Sequence, residues 1–141
     1  MPLSDSFANS LLTALFKGGS FSGPSTVYLG LSTNDPEAGQ FFEMSGDTYE
    51  RVLIAERGKT YPDYMGEVNK RSITNAKQIN FNRSTTAWPT IFGFGLFYDK
   101  EGGSPYYYAK VDNPEGVSVP SNAVALFDPN TLTVSIAEAD V

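Results

Sequence analysis

Histidine and cysteine, which carry much of enzyme chemistry, are both missing from the 141 residues. Their absence removes the commonest general base, the commonest metal ligand, thiolate nucleophiles and disulfide frameworks. Chemistry would then fall to carboxylates, Lys, Tyr or hydroxyls. Asp35 with Glu37 and Asp99 with Glu101 are carboxylate pairs two residues apart. A hard cation takes about six or more oxygens, and neither pair has enough acidic neighbours, so no metal site is expected. A glycosidase needs two carboxyls flanking one bond in a cleft, and neither pair lies beside a cluster of aromatics that would make one. No spacing joins a Ser, Thr or Lys to a base that would activate it. Gly18-Gly19-Ser20-Phe21-Ser22-Gly23 is glycine-rich, but no Gly-Lys-Ser/Thr follows. It reads as a linker rather than a phosphate cradle. Gly93-Phe94-Gly95 falls inside a strand pattern, not at a strand-to-helix turn, so it is no dinucleotide fingerprint. No catalytic residue and no cofactor is expected.

The remaining composition points to packing. Hydrophobic residues make up 40% and charged residues 18%, which suits a folded domain rather than a disordered tail. Ten Phe and eight Tyr favour strands and contact surfaces alike. The net charge is -6, and the basic residues are scattered, with Lys70-Arg71 the closest pair. An acidic chain without a basic patch is not expected to bind nucleic acid. The longest apolar stretch, 91–98, is broken by Gly93 and Gly95. It falls far short of the ~20 residues of a membrane helix. Met1-Pro2-Leu3-Ser4-Asp5 has no cationic export region. Without export the sequon Asn82-Arg83-Ser84 carries no meaning.

The elements divide the chain at its first glycines. Residues 4–17 predict an amphipathic helix: Ser4 caps it and Asp5 meets the positive end of its dipole. Phe7, Leu11 and Leu15 form one apolar row, with Ala8, Leu12 and Phe16 beside it. Gly18-Gly19 ends it. This face either covers the domain's own β core, the usual fate of an apolar face, or docks on a neighbouring subunit. Residues 26–136 then read as a β core. Val27, Leu29 and Leu31 alternate, 49–55 gives a second strand, and 56–71 is a long loop. In that loop Tyr61 and Tyr64 flank Pro62-Asp63; their rings either meet a partner or fold back on the domain. Ile79 and Phe81 mark a short strand, and 91–98 a central one whose glycines admit a close neighbour. A hairpin loop at 99–104 leads to a strand at 106–111. Val117-Ser118-Val119-Pro120 reads as an edge strand. Residues 123–127 and 132–136 form a final hairpin around Asp128-Pro129-Asn130. The sum is one mainly β domain over 1–141. It is a small sandwich or distorted barrel of about seven to eight short antiparallel strands with one N-terminal helix.

The order of these segments resembles a family of small phage proteins labelled phage tail fibre protein. The similarity rests on Leu3-Ser4-Asp5 with Leu15-Phe16-Lys17-Gly18-Gly19, on Tyr28-Leu29-Gly30-Leu31-Ser32-Thr33-Asn34-Asp35-Pro36, and on the run from Glu43 through Gly46, Tyr49 and Arg51 to Val52. It continues through Thr74-Asn75, Ile79 and Phe81, Trp88-Pro89-Thr90-Ile91, and Gly93-Phe94-Gly95-Leu96-Phe97. The resemblance implies a bacteriophage virion component, assembled in the host cytoplasm, and leaves its place in the particle open.

Within that frame the first expectation is a capsid decoration or cement protein. It would pack against the major capsid protein or other virion proteins as a homo-oligomer, a trimer being favoured. Phe7, Leu11, Leu15, Tyr61 and Tyr64 are the expected interface residues. A tail-associated subunit, as baseplate or fibre adaptor, is the alternative. A third reading is a host-surface carbohydrate-binding module, for which Tyr106 and Tyr108 on one strand face are the available platform.

Overall fold

The computed structural model describes residues 3–18, 20, 24–57 and 64–135. Ser4 opens the helix as expected: its hydroxyl accepts a 3.2 Å hydrogen bond from the Phe7 N–H. Helix α1 runs over Asp5–Phe16, and the Lys17 N–H closes it on the Thr13 carbonyl. Gly18 follows at φ +73°, the left-handed turn that stops a helix. The first turn is fixed to the body. The Ser4 N–H donates to the Tyr106 carbonyl at 3.0 Å, and Leu3 bridges to Tyr107. The Phe7 ring stacks on Tyr106 with centroids 5.0 Å apart.

Beyond that turn the helix does not cover the core. No residue of α1 is buried, and Leu12, Leu15 and Phe16 are 53%, 74% and 77% exposed. The usual expectation for an apolar face fails here for a physical reason. The backbone bond from Ser4 and the Phe7 stack fix the helix at its N-terminal end, and the strands close the core among themselves.

Ten short strands follow among the described residues. Strands β1 (Thr26–Ser32), β2 (Val52–Glu56), β6 (Gly93–Phe97) and β7 (Tyr107–Lys110) form an antiparallel sheet in the order β2-β1-β6-β7. The other six make three two-stranded ladders: β3 (Ser72–Thr74) with β10 (Thr133–Ser135), β4 (Ile79–Arg83) with β9 (Val124–Phe127), and β5 (Trp88–Ile91) with β8 (Val117–Val119). The fold is mainly β with one helix, as expected, but the sheets do not close into a barrel. One apolar core joins sheet and ladders, with Leu29, Leu31, Ile54, Phe94 and Leu96 from the sheet meeting Ile79, Phe81, Trp88 and Val119 from the ladders.

The observed strands correct the expected ones in three places. The apolar run 91–98 is shared between two ladders, because its first residue, Ile91, ends β5, which pairs with β8, while β6 sits between β1 and β7. A strand β3 appears that the polar sequence before it did not announce. The final hairpin is not formed; β9 pairs with β4 and β10 with β3. Asn75, fully buried, is the cause. Its amide donates to the carbonyls of Lys77 and Asp128 at 2.8 and 2.9 Å. Its side-chain oxygen accepts from the N–H groups of Thr131 and Leu132 at 3.1 and 2.9 Å. Those bonds occupy the turn and send the two strands to different partners.

The expected central strand is central, with all five residues of β6 buried. Its glycines do admit close neighbours. A Cβ on Gly93 would overlap the Pro36 ring, and one on Gly95 would lie 2.8 Å from the Phe41 ring.

Candidate functional site

The residues that could do chemistry are used to build the outer face of the four-stranded sheet. Gly30 of β1 faces Gly95 of β6 directly across the ladder. The missing side chains leave a floor on which aromatic rings lie: a Cβ on Gly30 would stand 2.8 Å from the Phe97 ring. Phe41 meets Phe97 edge-on at 5.6 Å, and the Arg51 guanidinium lies 3.5 Å above the Phe97 centroid. Arg51 is 7% exposed. It donates twice to the Glu43 carboxylate, at 2.8 and 2.7 Å, and twice more to the carbonyls of Asp99 and Gly102, each at 2.8 Å. The Tyr49 hydroxyl donates to Glu43 at 2.7 Å and accepts from the Leu31 N–H at 3.0 Å. Burial, and then the bond to Glu43, push the Tyr49 phenol far above its ordinary range.

Asp47 makes a second clasp on the same loop. It stands at φ 48°, a left-handed position that aspartate tolerates. Its carboxylate accepts from the Thr85 hydroxyl, the Trp88 indole N–H at 2.8 Å, and the N–H groups of Thr85 and Thr86 at 2.8 and 3.3 Å. The Thr85 and Trp88 bonds hold the carboxyl well below the usual carboxylate range. Glu43, Asp47, Tyr49 and Arg51 all come from the run that carries the sequence resemblance. That run staples the 43–51 segment to the sheet and, through Trp88, to the core.

Asp35 and Glu37 accept from backbone N–H groups. The Asp35 carboxylate accepts from the Glu37 N–H at 2.9 Å, and Glu37 accepts from the Lys110 N–H at 3.1 Å. Asp99 and Glu101 lie exposed around the expected hairpin loop. Among the described residues, no group of three or more acids could hold a metal ion. No helix there is long and apolar enough to cross a membrane.

The aromatic platform does not form. Tyr106 is 7% exposed, lying between Phe7 and Tyr98, whose ring is 4.7 Å away. Burial raises its phenol strongly as well. Tyr108 is half-buried, so the pair offers no shared flat face to a sugar.

The expected interface residues separate. Phe7 roots α1, Leu11 is half-buried and Leu15 stands exposed. Tyr64 is half-buried against the core, its carbonyl accepting from the Ala76 N–H at 2.7 Å. Tyr61 lies outside the described residues. Leu12 and Phe16, from the neighbouring row, extend the uncovered face. At the root of α1 is an apolar groove of about 280 Å³, walled by Leu3, Phe7, Val68, Ile73, Tyr106 and Val134. Val68 on its rim is 75% exposed.

No curated protein matches the chain. A family model described as Podophage GP4 fiber I protein gp80 matches residues 2–135. With that match spanning nearly the whole chain, the protein belongs to this phage fibre family and is a structural component of the virion.

Proposed function

We propose that the chain is a tail-associated, fibre-type subunit that joins its neighbours through α1 and acts by packing rather than catalysis. The observation that carries this reading is the uncovered end of α1, where Leu12, Leu15 and Phe16 face outward. A helix of about twelve residues is marginal in water without packing, so a partner surface gives this face its purpose. The fibre description of the matched family favours the tail over the head. At ~25 cal/mol per Å², a standard interface of ~1,600 Å² supplies a large gross term, most of it offset by the cost of association. Many copies acting together make such contacts persistent.

Capsid decoration, the first expectation from sequence, is the second reading. It is favoured by the lack of internal repeats in the sequence, since extended, quasi-one-dimensional structures are built from stacked repeats. Mass spectrometry of separated heads and tails decides between them. The chain is expected in the tail fraction. Recovery with heads alone moves it to the capsid, and absence from mature particles overturns both. Deleting residues 1–17 should reduce the number of copies per particle; full occupancy without them would remove α1 from the account.

A further inference from the structure

We propose that the chain's own residues 136–141 lie across the apolar groove at the root of α1 and strap the helix to the body. The proposal is independent of what α1 docks on, because the groove takes the root of the helix and leaves its outward end to neighbours.

Strand β10 delivers the chain to the groove. Its last two residues, Val134 and Ser135, are themselves part of the wall. The Tyr107 hydroxyl, on the same wall, accepts from the Ser135 N–H at 3.0 Å and donates to the Ser135 carbonyl at 3.1 Å. Residue 136 therefore begins at the groove, with no linker to cross. Val134 pairs with Ile73 across the ladder, and both line the groove. Side chains alternate along a strand, so the same register carried two residues on sets Ile136 opposite Arg71, on the face that Val134 and Ile73 share. Ile136 is the next large apolar side chain in line for that face. Residues 136–141 reach roughly 20 Å when extended at about 3.3 Å each.

Charge selects this segment. Arg71 stands on the groove wall, and Lys70 precedes it. Asn69 and Ser72 exchange backbone hydrogen bonds of 2.8 and 3.0 Å around these two residues, whose φ angles are 50° and 65°. A two-residue turn of this kind favours Asn and Gly, yet here it sets two cations side by side next to the groove. Ile136 is followed by Ala137, Glu138, Ala139 and Asp140. In extended backbone Glu138 and Asp140 share the face of Ile136. The apolar side chain enters the groove and the acids follow beside the basic turn. A segment already joined to the wall also acts at high effective concentration, which favours it over any separate occupant. Lying over Leu3 and Phe7, the strap fixes the first turn of α1 and the direction in which its exposed end points.

The absence of native cysteine gives a direct test in the full chain. Val68, on the exposed rim, offers the first site. Val68→Cys combined with Ala139→Cys should link through a short bismaleimide within one chain, at monomer mass. Adding Glu138→Lys and Asp140→Lys should slow that link roughly five-fold, and Arg71→Glu on top should restore part of the loss. In the chain without cysteine, Ile136→Ser should raise binding of a hydrophobic dye and speed hydrogen exchange at the Phe7 and Ala8 amides. Ile136→Leu should match the native chain in both. No link, or a link formed only between two chains at twice the monomer mass, would overturn the proposal. Dye binding and exchange unchanged in Ile136→Ser would overturn it as well. Neither readout involves copies per particle, so the docking role of α1 stands or falls separately, on deletion of residues 1–17.

Discussion

Removing the Arg51 guanidinium would leave the Glu43 carboxylate without its charge partner and two loop carbonyls without donors. Breaking one side of a largely buried ion pair costs about 3–5 kcal/mol. Arg51→Met should therefore lower stability by about 3 kcal/mol in urea titration, the partial exposure of Glu43 softening the loss. Adding Glu43→Leu should recover part of it, since no orphaned charge remains. Asp47 gives a pH signature. Its folded-state pKa is depressed by its bonds to Thr85 and Trp88, so its contribution is complete above the unfolded carboxylate value of about 3.9. That contribution drains away as pH falls below that value toward the folded pKa. Stability of the native chain should decline through this acid range, and Asp47→Asn should flatten the decline while lowering the melting temperature at neutral pH.

The elements depend on single polar residues more than their sequences reveal. The period-two pattern of β1 and the glycine-broken apolar run of β6 were legible, because alternation and burial leave their mark on residue types. The helix was legible from its Ser4 cap to its Gly18 stop. The partners of β9 and β10 were not, because two strands separated by a turn read as a hairpin unless something distant intervenes. That something is Asn75, more than 50 residues away in sequence. Asn75→Ala should cost about 3 kcal/mol, since buried N–H and carbonyl groups would lose their partners at about 1–3 kcal/mol apiece. Hydrogen exchange should show the amides of Thr131 and Leu132 losing protection first. Were those amides unaffected, the routing of the last strands would not depend on this side chain.

At the scale of the whole molecule, the burial of Tyr49 and Tyr106 ties folding to alkaline pH. Tyr49 and Tyr106 both have phenols raised above the usual value of about 10 by burial. Above that pH the unfolded chain loses protons that the folded chain keeps, so folding stability should fall as pH rises past about 10. Denaturant titrations at pH 9, 10 and 11 should show it; a flat profile would contradict the burial of both rings. By itself the sequence determined the class of molecule: a mainly β domain without His or Cys, with one amphipathic helix and a phage-like order of segments. Residue type and short-range spacing suffice for that, because alternation, caps and missing reactive groups are local properties. Only the tertiary structure decided that Glu43, Asp47, Tyr49 and Arg51 are staples, that Tyr106 is buried, and that the end of α1 is left bare. These outcomes depend on which surfaces meet across long stretches of chain, and neither charge nor hydropathy along the sequence records that meeting.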